Sequence, residues 1–317
     1  MQNILVSVCC LAYNQKDWIQ KCLDGVLSQR CDFSYEVIIH DDYSTDGTRE
    51  IIKEYHQKYP DKISLILPES NQYSQDVDMF DRCVSIATGK YIAWCEGDDE
   101  WTDPSKLQKQ VDYMENHPEC SLVYTNADFY IERQNRIEHN ALTSGFIHSP
   151  KNFKEHLMRA GHLAPLTWLF RRKLYVPNTK RDVDWSYSIA LDMFAQGDVH
   201  FLDYNTATYR IFNESVSNSK TIRALLKFGK GLIQIKEKYF LRYSQLLTSE
   251  ETSAIRYHTY LKYLPAAICL NDREYIAKSC ELLEFANKTL LVYIIKYRNV
   301  LMIPIILKLL YRLKGRR

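Results

Sequence analysis

The 317-residue sequence predicts an α/β protein built on a mostly parallel β-sheet that is flanked by helices. Apolar runs of strand length alternate with segments whose apolar residues recur at helical spacing, as in consecutive βα units. One stretch, residues 91–104, joins an apolar strand to a helix through a cluster of acidic side chains. With 46% hydrophobic residues the chain can bury a full core, so one large α/β domain with a smaller appended region is expected.

The first part of the chain repeats a strand and helix pattern. Residues 4–11 are an almost unbroken apolar run, as expected of a parallel strand that is covered on both faces. The segment that follows carries its apolar residues on one helical stripe. The same succession returns until a fourth strand is reached. Strands are predicted over residues 4–11, 35–40, 63–67 and 91–95, with helices over about 19–27, 48–59 and 79–87 between them.

Three of these strands end in distinctive polar residues. In a parallel sheet the carboxyl ends of the strands meet at one edge, which is where open α/β sheets bind their ligands. We therefore expect the polar residues to converge on one site. They are Tyr13 and Asn14 after the first strand, Asp41 and Asp42 after the second, and Glu96, Asp98 and Asp99 after the fourth.

The acidic cluster after the fourth strand suits a hard divalent cation such as Mg²⁺ or Mn²⁺, which prefers oxygen ligands. Acidic residues in a turn more often cap the next helix. Here Asp103, directly before Pro104, already occupies the cap position, so the acids upstream are left for a ligand. No GxGxxG glycine motif follows the first strand. A nucleotide held by acids and a metal is therefore expected, rather than one held by a glycine loop.

The middle of the chain has less regular elements. Residues 133–150 are polar and irregular, and they form either an acceptor-side loop or a simple insertion. Asp182 and Asp184 precede a helix that ends at Gly197. The predicted elements are a helix over 105–117, strands over 121–125, 167–170, 199–203 and 206–211, and the helix that follows Asp184.

From about residue 221 the pattern changes to long helices. We predict two domains, an α/β domain over residues 1–220 and a helical region over residues 221–317. The last segment, 290–313, is strongly apolar but is interrupted by charged residues and a proline, so an in-plane amphipathic helix with a basic end fits it better than a spanning helix. The alternative is a helix that packs on the core or on a second copy of the chain, which leaves a homo-oligomer possible.

Charge and cysteine content restrict the environment. A formal net charge of +2 gives no sign of a nucleic-acid surface. Nine cysteines, none in a CxxC pair, fit free thiols in a reducing compartment. The chain begins directly in a strand without a signal peptide. We therefore expect a cytoplasmic protein, peripheral on the cytoplasmic face of the inner membrane.

Four motifs identify a resemblance. They are VSVCCLAYNQ, VIIHDDYSTDGT, GKYIAWCEGDDEWTDPSKLQKQ, and VDWSYSIA followed by YRIFNESVS, and together they cover about the first 220 residues. In order and spacing they resemble the family 2 glycosyltransferases, whose Rossmann-like fold is called GT-A. The resemblance implies an inverting, metal-dependent transferase. Such an enzyme moves a sugar from a nucleotide diphosphate donor, most often a UDP-sugar, to a hydroxyl of a glycan or lipid-linked acceptor in cell-surface polysaccharide biosynthesis.

The resemblance also implies roles for the residues around the donor. Tyr13 would lie against the nucleotide base, Asn14 would shape the turn, and Asp42 would recognise the edge of the base. Glu96, Asp98 and Asp99 resemble the DxD-type cluster of the family, whose acids bind the ribose and the metal. Glu96 is then a nucleotide contact, and Asp98 and Asp99 are the metal ligands.

Asp184 is similar in position to the catalytic base of the family, which takes the proton from the acceptor hydroxyl. A helix cap is its alternative role, and Asp182 is the competing base. Two departures from the family pattern stand out. Phe212 occupies a position where the family often has a histidine, and the QxxRW segment of processive synthases is absent. Transfer of a single sugar is therefore expected.

Two other functions compete with this interpretation. A nucleotidyltransferase would make sugar nucleotides instead of using them, but the first strand is not followed by a glycine-rich basic loop that could grip a triphosphate. A glycan- or nucleotide-binding module without catalysis would have no use for an acceptor base such as Asp184.

Overall fold

The structure is a computed structural model that describes residues 4–159, 163–177, 182–212 and 221–285. The chain divides into two compact units, residues 1–213 and 214–317. The first unit contains a nine-stranded sheet with helices around it, and the described part of the second unit is helical.

The strands and helices of the first unit follow the predicted order closely as far as the fourth strand. The strands are β1 (Ile4–Ala12), β2 (Ser34–Asp41), β3 (Ile63–Ile66), β4 (Tyr91–Glu96), β5 (Glu100–Trp101), β6 (Cys120–Ile131), β7 (Arg136–Glu138), β8 (Leu169–Arg171) and β9 (Asp198–Ile211). The helices are α1 (Ile19–Leu27), α2 (Thr48–Lys58), α3 (Met79–Ile86), α4 (Lys106–Asn116), α5 (Phe153–Arg159) and α6 (Trp185–Gln196).

The sheet has the strand order β3-β2-β1-β4-β8-β6-β9-β5, with β7 paired to β6. The first four strands are all parallel to one another, with β1 between β2 and β4. Strand β8 runs antiparallel to both β4 and β6. Strand β9 runs parallel to β6, and β5 runs antiparallel to β9. The predicted α/β class is confirmed, and the sheet is parallel in its first half and mixed in its second.

Both faces of the central strands are buried. Along β4, Tyr91, Ala93 and Cys95 pack into the core that contains α1 and α4. Ile92 and Trp94 pack on the opposite face, against α3 and α6. Burial on both faces explains why these strands read as continuous apolar runs in the sequence.

Several predicted elements of the second half were wrong in detail. The strand predicted over 167–170 begins only at Leu169, because residues 165–167 form a 3-10 helix. The strands predicted over 199–203 and 206–211 are one long strand, β9, with irregular register opposite Asn126. Strands β5 and β7 were not predicted. With two and three residues, they are too short to show an alternating pattern.

The second unit contains three described helices, α7 (Ile222–Arg242), α8 (Ser249–Leu270) and α9 (Arg273–Phe285). Helix α7 approaches α8 at Gly229, where a methyl group would lie 2.4 Å from the ring of Tyr263. In the part of the chain that the structure describes, no helix is both long enough and apolar enough to cross a membrane. The predicted amphipathic segment, residues 290–313, lies outside the described residues.

Candidate functional site

The acidic cluster lies in the turn that follows β4. Glu96 is the last residue of that strand, and one carboxylate oxygen each of Glu96, Asp98 and Asp99 lies within 4.8 Å of the other two. The Asp99 amide closes the turn by donating to the Glu96 carbonyl at 2.9 Å. Within the described ranges, no other set of three His, Cys, Asp or Glu side chains is close enough to share a metal ion. The structure thus brings these three predicted residues together.

Gly97 allows this turn to pass close to the end of β1. Its amide donates to the Leu11 carbonyl at 2.8 Å. A methyl group on Gly97 would lie 2.4 Å from the Gln15 Oε1 atom and 2.9 Å from the Ile19 Cδ1 atom. Gln15 also reaches the cluster, because its side chain donates a hydrogen bond to Asp98 that opposes the rise in pKa caused by burial. The glycine therefore lets Gln15 connect the turn after β1 to the acidic cluster.

Arg210 of β9 holds the acidic turn from the opposite side. Its backbone amide donates to Asp99 Oδ1 at 3.1 Å. Its buried guanidinium donates to the Asp98 carbonyl at 2.8 Å and forms an ion pair with Glu100. The same guanidinium lies 4.7 Å from the ring of Trp18. Sequence reasoning did not find this role, although Arg210 stands in the YRIF motif.

Crowding of the carboxylates disfavours their charged forms. Burial, followed by the charges of Asp98 and Asp184, raises the pKa of Glu96 to about 8. Burial and the charges of Asp98 and Glu96 raise the pKa of Asp99 well above its ordinary value. A divalent cation would offset this repulsion, and carboxylate oxygens are its preferred ligands. The donor set therefore fits Mg²⁺ or Mn²⁺.

The turn after β1 contains the first two predicted nucleotide residues. Asn14 adopts a left-handed conformation with φ of 51°, which an asparagine tolerates better than most residues. Its amide donates to Ser44 Oγ at 2.9 Å, and its own Oδ1 accepts from the Thr45 amide at 2.9 Å. The ring of Tyr13 is 50% exposed. The turn is thereby tied to the end of β2, and an aromatic face is left open to solvent.

Asp42 is a buried residue that organises the loop before α3. Its Oδ1 accepts from the Gln72 amide at 2.6 Å. Its Oδ2 accepts from the Asn71 side chain at 2.8 Å and from the Tyr73 amide at 3.1 Å. The carboxylate therefore has a structural task in this loop, and its role in base recognition stays a prediction.

Asp184 is the N-cap of α6, which is the role that the sequence offered as the alternative to a catalytic base. Its Oδ1 accepts from the Tyr187 amide at 3.0 Å and from the Ser186 hydroxyl at 2.8 Å. Capping does not exclude a second task, because neither bond uses Oδ2. The competing base, Asp182, accepts from the Ser188 hydroxyl at 2.5 Å. The charge of Asp184 raises the pKa of Glu96, so the Asp184 carboxylate lies near the acidic cluster.

Aromatic residues complete the surroundings of the acids. Burial raises the pKa of Tyr209, and the charges of the acids Asp99, Glu96, Asp98 and Asp184 raise it further. The Tyr209 ring packs against Phe129, with 4.9 Å between centroids. Phe212, which replaces the histidine often found in the family, packs against Trp18 with 5.8 Å between centroids. That position therefore makes an apolar contact instead of a polar one.

Two relatives resemble parts of this chain. The uncharacterized protein Rv1520 of Mycobacterium tuberculosis is 45% identical over 119 residues, which are 38% of this chain and 34% of Rv1520. WfaP of Escherichia coli is named a UDP-Glc:alpha-D-GlcNAc-diphosphoundecaprenol beta-1,3-glucosyltransferase. It is 35% identical over 130 residues, which are 41% of this chain and 47% of WfaP. The chain thus spans between about a third and a half of the length of these relatives.

A solved structure has the same fold. It is the mannosyltransferase PcManGT from Pyrobaculum calidifontis in complex with GDP-Man and Mn²⁺, which matches with a TM-score of 0.53 and 15% identity, over 98% of this chain and 84% of that one. This similarity confirms the predicted GT-A fold. The model of the family described as Glycosyl transferase family 2 matches residues 7–176, more than half of the chain. The chain therefore belongs to glycosyl transferase family 2.

Proposed function

We propose that the chain is a metal-dependent, inverting glycosyltransferase that moves one sugar from a nucleotide diphosphate donor to a hydroxyl of a glycan or lipid-linked acceptor. One observation carries this proposal. Glu96, Asp98 and Asp99 are grouped at the end of β4, and Asp184 is close enough for its charge to raise the pKa of Glu96. A metal cluster beside a candidate base is what an inverting transfer requires.

The donor would bind along the edge of the sheet that runs from β2 to β4. Tyr13 offers its exposed face to the base, and Asn14 holds the turn in place. Asp42 contacts the edge of the base, and Glu96 contacts the ribose. A uridine diphosphate donor is supported by WfaP, whose name specifies UDP-Glc.

Asp98 and Asp99 are the residues that would hold Mn²⁺ or Mg²⁺. Their oxygens are hard donors. Burial raises the pKa of Asp98, and burial together with the charges of Asp98 and Glu96 raises the pKa of Asp99. When bound, such an ion stabilises the negative charge that develops on the departing diphosphate. The use of a divalent ion is supported by PcManGT, which was solved with Mn²⁺.

Asp184 would supply the base for the transfer. Its Oδ2 accepts the proton of the acceptor hydroxyl while the acceptor oxygen bonds to the anomeric carbon. The bond between that carbon and the diphosphate breaks at the same time, and the nucleoside diphosphate leaves with the electron pair. Attack from the face opposite the leaving group inverts the anomeric centre. The two α6 hydrogen bonds to Oδ1 fix the carboxylate for this task.

The acceptor and the setting are part of the same proposal. WfaP is named for a diphosphoundecaprenol-linked acceptor, which supports a lipid-linked glycan in cell-surface polysaccharide biosynthesis. We place catalysis in residues 1–220 and membrane association in the end of the helical region, residues 221–317. Partition into anionic liposomes tests this association. A chain that ends at Lys288 and still partitions as well as the full chain would contradict it.

Isothermal titration with UDP, with and without Mn²⁺, tests the donor site. We expect metal-dependent binding that disappears in the Asp98→Ala, Asp99→Ala double variant. The matched control is the Asp61→Ala, Asp112→Ala double variant, because both residues are exposed and neither belongs to the cluster. Equal binding by the two double variants would contradict the assignment.

Product analysis tests the reaction itself. A glycosyltransferase releases a nucleoside diphosphate from a nucleotide sugar. Release of pyrophosphate from a nucleoside triphosphate and a sugar phosphate would instead identify a nucleotidyltransferase. Binding of UDP with no turnover of any nucleotide sugar would favour a binding module.

A further inference from the structure

The sequence allowed two interpretations of residues 133–150, an acceptor-side loop or a simple insertion. In the structure this stretch contains a loop that is anchored by several hydrogen bonds. Residues 139–147 form this loop, and they contact residues 126–129 in the C-terminal half of β6. The His139 imidazole bonds to Asp128 Oδ2 at 2.8 Å, and the Asn140 amide donates to Asp128 Oδ1 at 3.0 Å. The Ala141 amide donates to the Ala127 carbonyl at 2.9 Å. These bonds hold the loop in one position on the strand.

The same loop is also packed into the core. Ala141 is fully buried, and Leu142 and Ile147 pack on the hydrophobic core of the first unit. The Leu142 amide donates to Asn126 Oδ1 at 3.1 Å. A passive insertion needs none of these contacts, whereas a loop that carries a binding residue needs a fixed backbone.

Phe146 is the large hydrophobic residue that this loop exposes. It is 39% exposed, although Ala141, Leu142 and Ile147 of the same loop pack into the core. It meets the buried ring of Phe129 edge to face, with 5.9 Å between centroids. Phe129 in turn packs on Tyr209 at 4.9 Å. A continuous row of three rings thus leads from the protein surface to Tyr209, which directly precedes Arg210, the residue whose amide donates to Asp99 Oδ1.

We propose that Phe146 is an acceptor-binding residue on which the sugar ring of the acceptor stacks. This inference rests on the proposed glycosyltransferase function. An exposed aromatic ring on its own is common and means little. Here the ring belongs to an anchored loop and is connected through Phe129 and Tyr209 to the segment of β9 that bonds to Asp99.

Chemistry and position both favour the acceptor over the donor. The apolar C–H face of a pyranose packs on an aromatic ring, and polar groups nearby fix its orientation. Tyr13 and Asp42, the predicted nucleotide residues, follow β1 and β2, whereas Phe146 lies against β6. In the sheet, β4 and β8 separate β1 from β6. Stacking on Phe146 therefore places the acceptor on the side opposite the nucleotide.

The test compares Phe146→Ala, Phe146→Trp and the control Tyr204→Ala in the full chain. Tyr204 is a matched control because its ring is also exposed on the first unit, where it contacts Lys109. The donor is UDP-glucose with Mn²⁺. The acceptor probes are p-nitrophenyl glycosides of glucose, N-acetylglucosamine, galactose and mannose, and the readout is UDP release above the rate without acceptor.

We expect Phe146→Ala to raise the KM for the acceptor about 2- to 12-fold, the range for loss of one aromatic contact. Hydrolysis of UDP-glucose without acceptor and binding of UDP should stay within about twofold of the wild-type values, since neither involves the acceptor. Phe146→Trp should keep a KM near that of the wild-type chain, because its ring can still stack. Tyr204→Ala should behave like the wild-type chain in every assay.

Three outcomes overturn the proposal. The first is an unchanged acceptor KM in Phe146→Ala. The second is an equal loss of UDP binding, which would mean a structural role. The third is a wild-type chain that turns over UDP-glucose but is stimulated by none of the glycosides. Each of these leaves the proposed glycosyltransferase function in place. That function fails separately, if the wild-type chain neither binds UDP nor turns over a nucleotide sugar.

Discussion

The two halves of the sheet build the same site by different means. In the first half, strands β1 to β4 are parallel to one another, and the turn after β1 is held by contacts between adjacent βα units, such as Asn14 with Ser44. In the second half, strands of mixed direction meet through long-range pairs, such as Arg210 with Asp98. The acidic turn lies where the halves join, since β4 presents it and β9 holds it. Positioning of the acids therefore depends on the second half as much as on the first.

The largest effect should come from Asp184, the proposed base at the start of α6. We expect Asp184→Asn to lower kcat by about 10²- to 10⁴-fold, because the amide cannot take the acceptor proton. Binding of UDP should change little, since Asp184 is not a predicted nucleotide contact. Steady-state kinetics and titration with UDP measure the two quantities.

The matched control for this variant is Asp182→Asn in the same loop. It should retain most of the activity, because the amide oxygen of asparagine can still accept the Ser188 hydroxyl bond. A larger loss of kcat in Asp182→Asn than in Asp184→Asn would reverse the two roles. Equal loss in both would point to the start of α6 as a structural element only.

The second largest effect should come from Arg210, the residue through which β9 holds the acids. Arg210→Met removes a buried guanidinium that bonds to the Asp98 carbonyl and pairs with Glu100. We expect the free energy of unfolding to fall by about 2–4 kcal/mol, the range for two charge-assisted hydrogen bonds that are partly replaced by water. Metal-dependent UDP binding should also weaken, because the acidic turn loses its support. Urea unfolding and titration measure these changes.

A surface ion pair provides the control for Arg210. Arg136 pairs with Glu138 at 3.3 Å, but its side chain is 52% exposed. Arg136→Met should therefore change the free energy of unfolding by less than about 0.5 kcal/mol. If Arg210→Met lowered the free energy of unfolding no more than Arg136→Met, the contacts of Arg210 would not be what holds the acidic turn. The second half of the sheet would then not be needed to position the acids.

The contrast between the halves also explains what the sequence could predict. The elements up to β4 were predicted because each strand is paired with its neighbours and covered by the helices of its own βα units. Glu96, Asp98 and Asp99 were found for the same reason, since they follow a recognisable strand. Asp184 was found through the family resemblance and the helix that follows it.

The residues that were missed act through contacts that are distant in sequence. Arg210 lies more than a hundred residues from Asp98, and its motif gives no local sign of the contact. Strand β5 has two residues and is defined by pairing with Thr208 and Ala207 of β9. The role of Gln15 depends on the close approach of the turn at Gly97, which the pattern of successive βα units does not predict. Long-range pairing therefore limits prediction more than composition does.

A third, smaller effect should come from the place where the halves touch directly. Gly25 of α1 rests on β5, and a methyl group there would lie 2.5 Å from the Trp101 carbonyl oxygen. Since the obstacle is backbone, Gly25→Ala must move α1 or β5. We expect a loss of about 1–3 kcal/mol in the free energy of unfolding, the usual result of overpacking. Urea unfolding measures it, with the exposed helix change Gln20→Ala as the control that should stay within about 0.5 kcal/mol.

The smallest effect is expected from Lys106 of α4, which lies against Trp101 of β5. Its side chain is fully buried, its ammonium donates to Gln110 Oε1 at 2.7 Å, and it lies 4.1 Å from the Trp101 ring. Burial lowers the pKa of Lys106 to about 7. In the unfolded chain a lysine has a pKa of about 10.4. Between these two values the unfolded state binds more protons than the folded state, so this group makes stability rise as pH rises.

The expected size follows from the linkage between proton binding and folding. Lys106 should contribute about 1.2 kcal/mol of added stability between pH 7.5 and pH 8.5, slightly less than one full proton gives, because part of the folded chain is still protonated at pH 7.5. Lys106→Met lacks the titrating group, so the free energy of unfolding of the wild-type chain minus that of the variant should rise by this amount. Urea unfolding of both chains at the two pH values measures it, and other titrating groups cancel in the difference. If the difference in free energy of unfolding between the two chains does not change with pH, Lys106 stays charged and hydrated in the folded state. Helix α4 would then not exclude water from the contact between Lys106 and Trp101.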